Sequence, residues 1–120
     1  MVELQEMNLL LRIFIGEDDR FDGRPLYEAI VLKAREQGLA GATVLRGPTG
    51  FGHSSVIHTA KILRLSEDLP VVVEIVDSKE RITGFLPLLE GMLKGGLVTV
   101  EEIRVVRYGP GQKELRPQSI

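Results

Sequence analysis

The order of its apolar segments is what most constrains this chain. Four short runs rich in leucine, valine and isoleucine are interspersed with two stretches whose apolar residues recur at helical spacing. "NLLLRIFIG", Asn8 to Gly16, is partly β-branched and reads as a buried strand. A polar turn, "EDDRFDGR", follows, and Pro25 suits a first helical position, where its missing N–H costs nothing. From Leu26 to Gln37 the residues Leu26, Ala29, Ile30 and Ala34 form one helical stripe, which Gly38 can stop by turning left-handed. A second strand runs from Ala42 to Arg46. Leu69 to Val76 is the strongest strand signal, dense in valine and isoleucine. Asp77 is then expected to cap a helix, with Glu80 at capping-box spacing. Ile82, Phe85, Leu86, Leu89 and Leu93 line one face of that helix, Pro87 should kink it, and "KGGL" should end it. Leu97 to Tyr108 reads as the last strand, and the polar tail "GPGQKELRPQSI" is expected to be mobile.

Strand, helix, strand, strand, helix, strand is the order of a ferredoxin-like βαββαβ sandwich. In that α+β fold two helices cover one face of a four-stranded antiparallel sheet. The 120 residues fit one domain, ordered from about residue 8 to 109. No helix is left for the second face, yet leucine, valine and isoleucine occupy both parities of the strands. Two-sided apolar strands are usually buried on both sides. A homo-oligomer of closed symmetry, its sheets packed on one another, is therefore expected.

Composition removes several functions. With no cysteine, disulfide scaffolds, thiolate metal sites and thiol catalysis are excluded, and a reducing compartment such as the cytoplasm is expected. No apolar run approaches the roughly 20 residues a bilayer requires, and "MVELQEMN" does not read as a secretory signal. A net charge of −2 and 5% aromatic residues argue against a nucleic-acid partner. The Walker A pattern is absent, no catalytic triad is evident, and Ser54 and Ser55 are too close to His53 in sequence to form one.

The candidate site lies in "RGPTGFGHSSVIH", Arg46 to His58. Gly47, Gly50 and Gly52 would let backbone amides approach an anion, or they could simply build a turn with a bulge. His53 and His58 could touch a phosphate or be solvated; their spacing shows no metal set. The segment from His53 to Glu67 is locally basic, and it reads either as a solvated loop or as an effector arm. Lys94, Gly95 and Gly96 can be explained as a helix C-terminus, with glycine stopping the helix and lysine meeting its negative end. Arg104 and Arg107 would point to opposite faces of a regular strand. Glu74 and Arg12, charged residues in apolar strands, could pair across the sheet; exposure of Glu74 at a subunit cleft is preferred here.

"GLAGATV" (Gly38 to Val44), "GFG" (Gly50 to Gly52) and "LPVVVEIV" together resemble the nitrogen-regulatory PII proteins over about Leu9 to Tyr108. The match is closer to a poorly characterised PII-like branch of bacteria and archaea. The resemblance implies a homotrimer with an adenine nucleotide (AMP, ADP or ATP) bound between subunits. By position, Thr43, Gly50, Phe51 and Gly52 would face it, Lys94, Gly95 and Gly96 would stand at the phosphate-cradling B-loop, and Arg104 and Arg107 would match basic residues of the last strand. Arg46, Gly47, His53 and Glu74 complete the candidate set. The "KGG" is shorter than a PII B-loop, and no tyrosine lies between His53 and Asp68 for uridylylation. The resemblance also implies a protein partner read through the loop, with a membrane transporter as one class of such partner. Two other readings stay open: a small ferredoxin-like oligomeric enzyme using His53 as base, and a nucleotide-independent docking module.

Overall fold

The structure, a computed structural model, describes residues 7–48 and 69–107. Strand β1 (Met7–Gly16) leads into a short hairpin, β2 (Arg20–Phe21) and β3 (Arg24–Pro25). Helix α1 (Leu26–Glu36), strands β4 (Thr43–Arg46) and β5 (Pro70–Ser78), helix α2 (Lys79–Glu90) and strand β6 (Leu97–Arg104) follow. The four long strands form one antiparallel sheet in the order β4-β5-β1-β6. This is the expected fold class: two helices against a four-stranded antiparallel sheet.

Strict alternation builds the core. Leu9, Leu11, Ile13 and Ile15 of β1 and Val71, Val73 and Ile75 of β5 point to one face and are buried. They pack with Leu26, Ala29, Ile30 and Ala34 of α1 and Ile82, Phe85 and Leu89 of α2, the helical stripes read from the sequence. The opposite parity makes the open face. Leu45, Val72, Phe14 and Leu97 are opposed in one row, and Thr43, Glu74, Arg12 and Thr99 in the next.

Local chemistry decides the element ends. Asp22 and Gly23 both have positive φ (53° and 82°), as the tight hairpin between β2 and β3 requires; the sequence reading had only a turn there. Gly38 ends α1 as expected, at φ 81°. Its N–H donates to the Arg35 carbonyl and the Leu39 N–H to that of Ala34, each at 3.0 Å, which completes a Schellman motif.

Three expectations need correction. The cap of α2 is Ser78, whose hydroxyl accepts from the Arg81 N–H at 3.2 Å. Asp77 instead is buried and accepts from the Ala40 N–H at 2.9 Å, tying the α1–β4 connection to the end of β5. A buried amide needs an acceptor more than an exposed helix end does. Helix α2 stops at Glu90 with Gly91 as its C-cap, so Lys94 and Gly95 lie beyond the helix rather than ending it. Strand β6 stops at Arg104, so Arg107 is not on it. Pro87 does sit inside α2. The tail, Gly109 to Ile120, lies outside the described residues.

Candidate functional site

Strand direction brings several candidate residues to one end of the sheet. Arg46 closes β4 opposite Val71, Gly16 closes β1 opposite Pro70, and Leu97 opens β6 opposite Phe14. Gly47 therefore sits at that end on the β4 edge, where its N–H donates to the Pro70 carbonyl at 2.8 Å. Gly96 sits at the same end on the β6 edge. Two strands separate these edges, so they stand about 14 Å apart, three strand spacings. Within one protomer they cannot hold the same small group. Gly50, Phe51, Gly52 and His53 lie outside the described residues.

Gly96 has an intramolecular reason to be glycine. Its φ is 93°, and a Cβ there would fall 2.7 Å from the Phe14 carbonyl oxygen. Packing against β1 thus explains this residue without a ligand. Lys94 and Gly95 are exposed.

Arg104 stands opposite Met7 at the far end of β6. It is seven residue steps from Leu97 (104 − 97), or about 23 Å at the rise of an extended strand. Lys94 and Arg104 of one protomer therefore serve different places. The question of opposite faces for Arg104 and Arg107 disappears, because the strand ends between them.

Thr43 and Glu74 are brought together, directly opposed on β4 and β5. Glu74 also receives the Arg12 Nε at 3.0 Å, so the cross-strand pair forms. Arg12 Nη1 donates to Glu101 at 2.9 Å as well. The hydrogen bond from Arg12 to Glu74, above all, raises the arginine pKa further; burial opposes it and the charge of Glu101 assists it.

Arg46 is not a free cation in this structure. Its Nε donates to Glu17 at 2.9 Å, its Nη2 donates to the Tyr27 hydroxyl at 3.0 Å, and the guanidinium lies 5.3 Å from the Tyr27 ring centroid. Sequence reasoning missed Glu17 and Tyr27. They lie 29 and 19 residues from Arg46, and no periodicity connects them. Among the described residues, no group of three or more histidine, aspartate or glutamate side chains could hold a metal. No helix among them is long and apolar enough to cross a membrane.

Sheet order, the two helices on one face and a long connection between β4 and β5 define a ferredoxin-type fold of the PII-like class. Solved structures agree on the fold. CPII of Thiomonas intermedia K12, bound to ADP, AMP and acetate, superposes with a TM-score of 0.56 at 20% identity, covering 85% of this chain and 91% of that one. A PII-like signaling protein of Thermus thermophilus gives 0.59 at 19% identity, covering 84% and 91%. The chain itself belongs to the DUF190 family (uncharacterized ACR), whose model matches residues 8–105. A UPF0166 protein of Aquifex aeolicus is 44% identical over 97 residues, 81% of this chain and 91% of that protein. Another, of Methanocaldococcus jannaschii, is 36% identical over 99 residues, 82% and 91%. The relatives carry uncharacterised or PII-like signalling names, not enzyme names.

Proposed function

We propose that this chain is a PII-like regulatory protein, a single domain over residues 1–120 that assembles as a homotrimer and binds an adenine nucleotide between protomers. One observation carries the reading. Gly47 and the Lys94–Gly96 turn lie at the same end of the sheet but on opposite edges. A ligand that touches both draws them from neighbouring protomers. Thr43, Gly47 and the Gly50–His53 run would supply one wall of the crevice, and Lys94 and Gly95 the other. Arg46 and Glu74 would border it through the side chains that already hold them, while Arg104, at the distal end of β6, and Arg107, beyond the strand, would contribute away from the Lys94 end.

Two further observations support the assembly and the ligand class. The open face carries exposed Leu45 and Leu97 beside Phe14 and Val72, a surface suited to a second copy. CPII, which shares the fold, was crystallised with ADP and AMP. AMP, ADP and ATP are all candidates, because the short Lys94–Gly96 wall would make few phosphate contacts. No resident metal is invoked, and a net charge of −2 disfavours a nucleic-acid partner. The protein would act in the cytoplasm by altering the state of residues 53–67, which a protein partner reads; a membrane transporter is one class of such partner. Ligand-dependent population shift, not turnover, is the activity.

Calorimetric titration with AMP, ADP and ATP, paired with sedimentation velocity, tests this. Saturable heat with at least one nucleotide and a trimer mass are expected. No heat with any of the three at millimolar concentration, or a monomer mass, would overturn it.

A further inference from the structure

Glu17 holds both ends of the β4–β5 connection at once. Its main-chain N–H donates to the Leu69 carbonyl at 2.8 Å, on the side where the chain enters β5. Its carboxylate accepts from Arg46 Nε at 2.9 Å, on the side where the chain leaves β4. Gly47 closes the gap between the two sides by donating to the Pro70 carbonyl at 2.8 Å. Arg46 extends the arrangement to α1, where the Tyr27 hydroxyl accepts a hydrogen bond and the ring lies 5.3 Å from the guanidinium. Arginine suits this place because its planar fork donates in two directions while its face meets an aromatic ring; a lysine ammonium could not do all three.

We propose that Glu17, Arg46 and Tyr27 are positioning residues. They form a clamp that sets the spacing and direction of the backbone at Gly47 and Leu69, and they couple that backbone to α1. Each contact is a partly exposed one and contributes little to global stability. Their joint effect is local, because all three act on the same few residues at the end of the sheet. Local openings of this kind take place without unfolding the core. The functional consequence rests on the nucleotide reading: Arg46 serves the ligand site by shaping the main chain at Gly47, not by offering a free positive charge. An anion would find the guanidinium already neutralised by Glu17.

The test has two arms, run on the full chain with the variants Glu17→Gln, Arg46→Gln, Tyr27→Phe and the double variant Glu17→Gln/Arg46→Gln. In the first arm, NMR measures amide exchange. Gly47 and Glu17 should exchange roughly two- to fivefold faster in each single variant, with Ile13 and Val73 unchanged. Equal acceleration across the whole sheet, or none at Gly47, would overturn the clamp. In the second arm, ADP is titrated by calorimetry. Each single variant should bind more weakly, and the double variant no more weakly than the worse single one, because one unit has been broken twice. Tighter binding by Glu17→Gln would overturn the proposal, since Glu17 would then be competing with the ligand for Arg46. If the unmodified protein binds no nucleotide, the functional proposal fails and the exchange arm alone decides the clamp.

Discussion

Arg12 and Glu74 stand directly opposite each other on β1 and β5, with the guanidinium Nε 3.0 Å from the carboxylate Oε2. Thr43 and Thr99 extend the same row to both sheet edges. This polar row lies next to the apolar row of Leu45, Val72, Phe14 and Leu97, on the side away from the helices. Glu101 joins the arginine from β6, so one positive charge meets two negative ones.

Removing the arginine leaves two uncompensated carboxylates on a face that the trimer would cover. Arg12→Met should therefore weaken association roughly tenfold or more, read as a rise in the dissociation constant by sedimentation equilibrium. Glu101→Gln, which evens the charge, should not weaken it. The pair brings no pH dependence through its arginine. Its raised pKa means that this contribution is present below the unfolded value and is lost only as pH rises through the folded one, above the ordinary arginine range. Association should accordingly show no alkaline loss from Arg12 between pH 6 and 9.

Leu45 and Leu97, at opposite ends of the neighbouring row, are 49% and 56% exposed in the protomer. Leu45→Glu and Leu97→Glu should leave the far-ultraviolet circular dichroism of the protomer intact and shift its mass towards monomer. Exposed positions tolerate charge in a monomer but not inside an apolar interface. A mutant trimer as tight as the parent would show that this face is not the interface.

The glycines separate into kinds that substitution can distinguish. Gly96→Ala must relieve both a left-handed backbone and a 2.7 Å approach to the Phe14 carbonyl. It should cost about 1–3 kcal/mol, visible as a lower urea midpoint. Gly84, on the exposed side of α2, has a negative φ and nothing within 4 Å of an added Cβ. Gly84→Ala should stabilise by about 0.5–1 kcal/mol through helix propensity alone.

Asp77 and Ser78 are neighbours with different duties. Ser78→Ala removes the α2 cap and should cost about 1 kcal/mol. Asp77→Ala removes the buried acceptor of the Ala40 amide and should cost about 1–3 kcal/mol. Thermal unfolding of the two variants should show the larger loss for Asp77→Ala; a larger loss for Ser78→Ala would mean that the Asp77–Ala40 hydrogen bond contributes less than the α2 cap.

Much of the fold was legible because it depends on local period. The apolar runs that became β1 and β5 and the three-to-four spacing in both helices are properties of neighbours in sequence, and the buried sets fall within them; which parity of each strand is buried was decided by the helices. Gly38 was legible for the same reason, since a left-handed helix stop is a one-residue event. Asp77 was misread because capping and satisfying a distant amide demand the same residue type. The spacing to Glu80 could not reveal that Ala40 would arrive from 37 positions away.

The candidate site divides along the same line. Its glycine run and its place after the second long strand could be read directly from residue order, as could the helices that cover only one side of the sheet. Residue order could not tell that Arg46 would be engaged by Glu17 and Tyr27, that Gly96 serves packing against Phe14, or that Gly47 and Lys94 occupy opposite edges. Those facts depend on which strands become neighbours. Strand order is chosen by burial of the whole apolar set at once, so a contact between distant residues exists only after the chain has closed on its core.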